Sequence, residues 1–354
     1  MQSLAWYYRR LKSMSPAEFA WRIQRAASDV LDQCRFTLSL FPSTDSVGIS
    51  RGGIEPGPAF RISDVALGEW AAPKASADER AWQARLLAQA DEIASHRLSF
   101  FDMTSHHLGD PIDWNRDHAA GKPAPLVYSQ KIDYRDHSVT GDCKLVWEPN
   151  RHHQLVVLAR AYRVTGDRRY AQSVVAQLDS WLRQNPFWTG MNWRSPLELG
   201  IRLINWVWAL DLIQDSGLPT GELRRRLVQS VYLHCWEIRR KYSRGSSANN
   251  HLIGEAAGVF VASAYFNDLP QGARWREESR AILLREVQLQ SYADGCTREQ
   301  ALGYQLFVLE FYVACGMAAK WIGEDFPEEY WSRVEKMIEF LGYLCEGGGT
   351  LPLF

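Results

Sequence analysis

"GELRRRLVQSVYLHCWEIRRKY", residues 221–242, sets Leu223, Leu227, Val231, Cys235 and Ile238 three or four residues apart, with arginines on the opposite side. That spacing predicts a single apolar stripe along an amphipathic helix. Comparable stripes run over residues 152–165, 168–184, 196–214, 249–266, 272–291, 298–321 and 327–345, broken by short segments such as "TGD", "DSGLPT" and "FNDLPQG". Residues 40–75, rich in Gly, Pro and Ser, and the stretch 108–146 lack the pattern.

Start signals sharpen the boundaries. "SPLE" at 195–198 offers Ser195 as N-cap, Pro196 at the first helical position and Glu198 three residues on, the form of a capping box. "TREQ" at 297–300 and "SPAE" at 15–18 have the same form. The helices come in pairs, and the first of each pair begins near 151, 196, 248 and 298. This recurrence of roughly 45–53 residues predicts stacked helical hairpins. The fold expected is all-α, an incomplete α/α toroid of antiparallel helical hairpins. Residues 1–80 form an N-terminal helical segment and irregular linker, 81–346 the toroid, and 347–354 the start of a further linker.

Alternate helices of such hairpins point the same way, so four polar clusters should share one rim. They are "WEPNRHH" (147–153), "NWRSPLE" (192–198), "SSANNH" (246–251) and "DGCTREQALGY" (294–304). Helix N-termini carry partial positive charge and free N–H groups, so a rim of them favours an anionic ligand.

Composition narrows the function classes. The chain has 354 residues, 46% of them hydrophobic, and a net charge of −1, so no strong overall field points to nucleic acid or an anionic membrane. Fifteen tryptophans and fourteen tyrosines offer flat faces for sugar rings, and the same rings fill a core. Six cysteines lie scattered without CxxC spacing, which argues against a zinc knuckle or a disulfide scaffold. The N-terminus "MQSLAWYYRRLKSMSPAEFAWRIQ" has no continuous apolar stretch behind its basic residues, and no segment reads as a membrane span of ~20 apolar residues. The expected location is the cytoplasm, or the periplasm or exterior if a signal has been removed.

Among the rim residues, Asn250 can donate an amide hydrogen bond to a carboxylate, and His251 can do the same or take a proton. Tyr304 lies within two turns of its helix start, and Arg194 can hold a second anionic group. The set suits proton abstraction next to a carboxylate. HExxH, GxSxG, Walker and GxGxxG motifs are absent, and the doublets His106–His107 and His152–His153 lack metal-ligand context, so neither metal nor other cofactor is expected. Glu148, Glu198 and Glu299 stand near the same rim and keep an inverting glycosidase open, although Glu198 is already explained as a capping-box residue.

Through "IDWNRDHAAGK", "KLVWEPNRHHQLVVLARAYRVTGD", "NPFWTGMNWRSPLELGIRLINWVWAL", "SSANNHLIGEAAG" and "YADGCTREQALGYQ", the chain from about residue 110 onward resembles the heparinase II/III-like polysaccharide lyases. The resemblance implies an α/α toroid followed by a C-terminal antiparallel β-sandwich, with the active site between them. It implies β-elimination on a uronic-acid-containing anionic polysaccharide. Asn250 and His251 would neutralise the uronate carboxylate and Tyr304 would transfer the proton. Trp193, Arg194, Asn249, Glu148, Arg151 and Glu299 are assigned to substrate binding, with Glu299 and Arg151 also read as partners that orient the cleft. Gln305 departs from the pattern, since histidine often follows the tyrosine. The chain also stops at "EGGGTLPLF", where relatives pass into the β domain, so the resemblance implies a fragment and leaves open a metal held by that domain. A non-catalytic, polysaccharide-binding toroid is the reading from a different class. Oligomeric state stays open.

Overall fold

The computed structural model describes residues 16–42 and 76–345. The linker at 43–75, Ser15 of "SPAE" and the terminus at 346–354 lie outside the described residues. Helix α1, Pro16–Thr37, is followed by α2, Ala77–Ala94, which crosses the residue 80 at which the sequence divides. Two small antiparallel hairpins come next: β1, Arg97–Phe100, with β2, Met103–His107, and β3, Arg116–Asp117, with β4, Lys122–Pro123. The second falls where helical periodicity is missing; the first, carrying the His106–His107 doublet, does not appear in the sequence reading. Two short helices, α3 (His137–Thr140) and α4 (Cys143–Asn150), lead into the repeat.

Four hairpins then follow: α5 (His153–Thr165) with α6 (Arg168–Gln184), α7 (Pro196–Leu212) with α8 (Gly221–Arg240), α9 (Asn250–Tyr265) with α10 (Gly272–Leu289), and α11 (Leu302–Trp321) with α12 (Glu328–Leu344). The "TGD" break shows how locally the turns are written. Gly166 ends α5 in the left-handed region at φ 70°, and the Asp167 side chain caps α6 by accepting the Arg169 N–H at 3.0 Å.

The first helices of the pairs pack successively on one another, α5 on α7, α7 on α9 and α9 on α11, with their partners forming a second layer. This burial explains their composition. Every residue of α9 except His251 is buried, and a helix enclosed on all sides is apolar all round. Helix α11 is, by length and composition, apolar enough to cross a membrane, and here it packs between α9 and α12. Glycines let the two central helices touch: a Cβ on Gly258 would lie 2.4 Å from the Cα of Gly200, and one on Gly254 2.4 Å from a methyl of Leu197 and 2.8 Å from the Phe311 ring.

Two of the capping boxes do not form. Ser195 makes no side-chain cap, because Glu198 turns away to an arginine. "TREQ" precedes the helix rather than opening it: Thr297 pairs with Ser291 in a closed turn, and α11 starts at Leu302. The capping box that does form is Ser76 with Glu79, at the start of α2.

Candidate functional site

The four polar clusters lie at the N-terminal ends of α5, α7, α9 and α11, on one rim, and side-chain contacts join them in two pairs. Arg151 forks onto Glu198, its Nε and Nη2 donating to Oε2 and Oε1 at 2.8 and 3.0 Å. Its Nη1 donates to Glu148 at 3.0 Å. Burial works against the charge of Arg151, but the hydrogen bonds and the two carboxylates outweigh it, and its pKa is held above the usual range. Burial pushes the Glu148 carboxyl up, Arg151 pulls it down, and Glu198 adds to the rise. With both carboxylates engaged, Arg151 organises the cleft wall and has little charge left for an anion.

Across the rim, Asn250 is buried at the first position of α9 and is held by Glu299 from the turn before α11. Its side-chain amide donates to both Glu299 oxygens at 2.9 and 2.8 Å, and its backbone N–H donates to one of them at 3.0 Å. The anion expected at this helix N-terminus is therefore supplied by the protein itself. Asn249 is the N-cap, its side chain accepting the His251 N–H at 3.1 Å. The His251 side chain is solvent-exposed. Desolvation by the surrounding protein lowers its pKa, while the Glu198 and Glu299 carboxylates pull the other way, so His251 senses both halves of the rim.

Tyr304 stands on the first turn of α11, 48% exposed, with its ring available to a ligand. Its neighbour Gln305 is buried and accepts the Thr297 N–H at 2.7 Å while donating to the Gly295 carbonyl at 2.9 Å. The departure from histidine at this position is thus a structural stitch that closes the turn carrying Glu299.

Arg194 is half-buried, donating to the Ile132 carbonyl and the Gln130 side chain at 3.2 Å and lying 4.9 Å from the centre of the Tyr134 ring. It has no carboxylate ion pair among the described residues, and desolvation lowers its pKa. Trp193 needs correction as a substrate-binding residue. Its ring is 2% exposed, donates to the Asn185 carbonyl at 3.1 Å and packs 4.4 Å from the His234 ring, so it is a core residue.

Sequence reasoning set His153 aside with its doublet, for want of metal-ligand context. It is exposed at the start of α5, its Nδ1 lies 3.1 Å from the Asn205 amide, and desolvation first and Arg151 second lower its pKa. The signal was the "HH" doublet, whose two members diverge: His152 turns inward at φ 67° and accepts from Trp206 at 2.6 Å. Beneath the rim, fully buried Arg202 donates to the Asn150 carbonyl at 2.7 Å and to the Asn192 carbonyl at 3.2 Å, tying together the backbones that carry Arg151 and Arg194.

The family model described as Heparinase II/III N-terminus matches residues 57–354. A heparin-sulfate lyase of Bacteroides stercoris is 30% identical over 250 residues, covering 64% of this chain and 37% of that protein. A heparin-sulfate lyase of Pedobacter heparinus is 26% identical over 234 residues, covering 64% and 35%. The chain therefore spans about a third of the length of these curated relatives. Among solved structures, the heparan sulfate lyase HepC from Pedobacter heparinus superposes with a TM-score of 0.58 at 21% identity, over 83% of this chain and 44% of that one. A heparinase III structure gives 0.55 at 19% identity, over 80% and 43%. At these identities the superpositions establish the shared helical fold.

Proposed function

Because the chain belongs to the heparinase II/III family, we propose that its rim is the toroid half of a polysaccharide lyase site acting on a uronic-acid-containing glycosaminoglycan such as heparan sulfate. The observation that carries this reading is the pairing of buried Asn250 with exposed His251 at the start of α9, held by Glu299 beside the helix that presents Tyr304. The names of the curated relatives supply the substrate class.

In the proposed reaction, the Asn250 amide exchanges one of its two Glu299 contacts for the uronate carboxylate, and with His251 it withdraws charge from that group and stabilises the enolate-like species formed as C5 loses its proton. The C5–H electrons become the C4=C5 double bond, the C4–O4 bond breaks with its electrons going to O4, and O4 takes a proton. Where both lie on the same face, Tyr304 takes the C5 proton and returns one to O4; in the other arrangement the accepting nitrogen of His251 takes the C5 proton and Tyr304 supplies the one for O4. Glu299 sets the orientation of the Asn250 amide, and Arg194 supplies a cation to a second acidic group. The low pKa of His251 favours the neutral ring near neutral pH, the form that can donate from one nitrogen and accept at the other.

An inverting hydrolase would draw its general acid from Glu148, the rim carboxyl whose pKa is raised by burial, and its base from Glu299, which is already engaged with Asn250. Product chemistry decides. Incubation of the full-length protein with a panel of uronate polysaccharides should yield an unsaturated product absorbing in the ultraviolet. A saturated reducing end would establish the hydrolase, and binding without turnover the non-catalytic toroid.

A further inference from the structure

Away from the rim contacts, α1 and the C-terminal end of α8 enclose a pocket of about 270 Å³ lined by Arg25, Arg239, Arg240 and Arg244, with Trp21 beside them. Among the described residues no carboxylate lines it. Three of the arginines pair with acids outside the lining. Glu278 accepts from Arg239 at 2.8 Å, Asp32 from Arg240 at 2.6 Å, and Asp29 lies 3.5 Å from Arg25. Glu237 is buried against Lys241 at 2.6 Å. The Arg244 side chain has no hydrogen bond or ion pair among the described residues and is exposed, while its carbonyl accepts the Ser247 N–H at 3.2 Å. Glu255, which fixes Ser243 by accepting its N–H and hydroxyl at 2.7 and 2.8 Å, has its carboxyl pushed up to about 8 by burial and adds little negative charge at neutral pH.

The pocket lining thus carries four guanidinium groups, three of them paired with carboxylates that stand outside the lining, and the Arg244 side chain has no ion pair among the described residues. Planar guanidinium forks match carboxylate and sulfate oxygens, and a tryptophan face suits a sugar ring. Its position is equally specific. Arg244 sits in the loop that leads into Asn250, and six residues of chain span at most about 22 Å, a distance that a short oligosaccharide bridges.

We propose that this pocket is a distal subsite taking an acidic group, sulfate or carboxylate, from the same polysaccharide chain whose reacting uronate lies at Asn250. The identity of the ligand rests on the lyase reading, whereas the anionic character of the site rests on the arginines.

The test measures binding by calorimetry, using full-length protein, a heparan sulfate decasaccharide, a disaccharide and inorganic sulfate. Arg25→Gln and Arg244→Gln should each weaken decasaccharide binding by roughly three- to tenfold, with the disaccharide unaffected and melting curves superimposable for Arg244→Gln, which loses no internal partner. Unchanged decasaccharide affinity in both variants, or no decasaccharide binding by the unsubstituted protein, would overturn the proposal. So would equal weakening for the disaccharide, which would place the arginines in the cleft, or an effect confined to inorganic sulfate, which would make the pocket a small-anion site. Since the readout is binding, a protein that forms no unsaturated product yet shows the decasaccharide effect would sink the lyase reading and leave the anionic subsite standing.

Discussion

The side-chain amide of Asn250 donates to both carboxylate oxygens of Glu299, 49 residues further along the chain, at 2.9 and 2.8 Å. This pair joins two of the four rim clusters and gives Asn250 a structural role beside the chemical one proposed for it. Asn250→Ala should lower kcat by roughly 10²–10³, the loss seen when one oxyanion donor is removed. It should also cost about 1–3 kcal/mol of stability, because the Glu299 carboxylate loses its partner. Glu299→Gln should keep the fold better while loosening the amide, so kcat falls with a smaller change in melting temperature. A double-mutant cycle measures the coupling, and additive effects on kcat would show that Glu299 does not position Asn250.

Tyr304 offers a cleaner separation of chemistry from stability. Its side chain is 48% exposed, so Tyr304→Phe removes a transferable proton and little packing. Elimination should be largely lost with the melting temperature unchanged. Turnover retained by the folded variant would remove Tyr304 from the mechanism. Gln305→Ala should do the reverse, lowering the melting temperature by leaving the Thr297 N–H and Gly295 carbonyl without their partner.

The meeting of α7 with α9 sets how the rim is aligned. A methyl on Gly258 would lie 2.4 Å from the Gly200 Cα and 2.6 Å from its carbonyl oxygen, both backbone atoms. Gly258→Ala should therefore force the two helices apart and destabilise the fold by about 1–3 kcal/mol or more. Because His251 and Glu198 ride on these helices, kcat should drop in whatever protein remains folded. A thermal denaturation curve matching that of the unsubstituted protein would show the contact to be looser than described.

The repeat was legible, and its contacts explain why. Arg151 meets Glu198 47 residues on, Asn150 meets Arg202 52 residues on, and Asn250 meets Glu299 49 residues on, so partners lie about one hairpin apart. Apolar spacing and turn chemistry such as Gly166–Asp167 are local, and they mark helices and breaks directly. Partner choice is a long-range property. "SPLE" satisfies the pattern of a capping box, yet Glu198 gains a bidentate pair with Arg151 that no local window contains. Likewise Trp193 reads as an aromatic beside polar residues until the packing of Trp181, Phe187 and His234 around it places it inside.

The buried carboxyl of Glu255 predicts the sign of a pH dependence. Burial raises its folded pKa to about 8, the Ser243 hydrogen bonds and Arg25 opposing that rise, whereas the ordinary value is 4.5. Between those two pH values the folded protein holds a proton that the unfolded chain has released. Stability from this group is therefore complete below the unfolded pKa and is lost as pH rises through the folded one. The melting temperature should fall from about pH 5 to pH 8, and Glu255→Gln should flatten that slope, leaving the variant relatively more stable on the alkaline side. The same titration loads charge onto the partner of Ser243 in the loop that enters Asn250, so the proposed elimination should also show an alkaline fall that the variant shifts upward. Differential scanning calorimetry across this range checks the first part. A melting temperature that rises with pH in the unsubstituted protein, and equally in Glu255→Gln, would show that other groups govern the dependence.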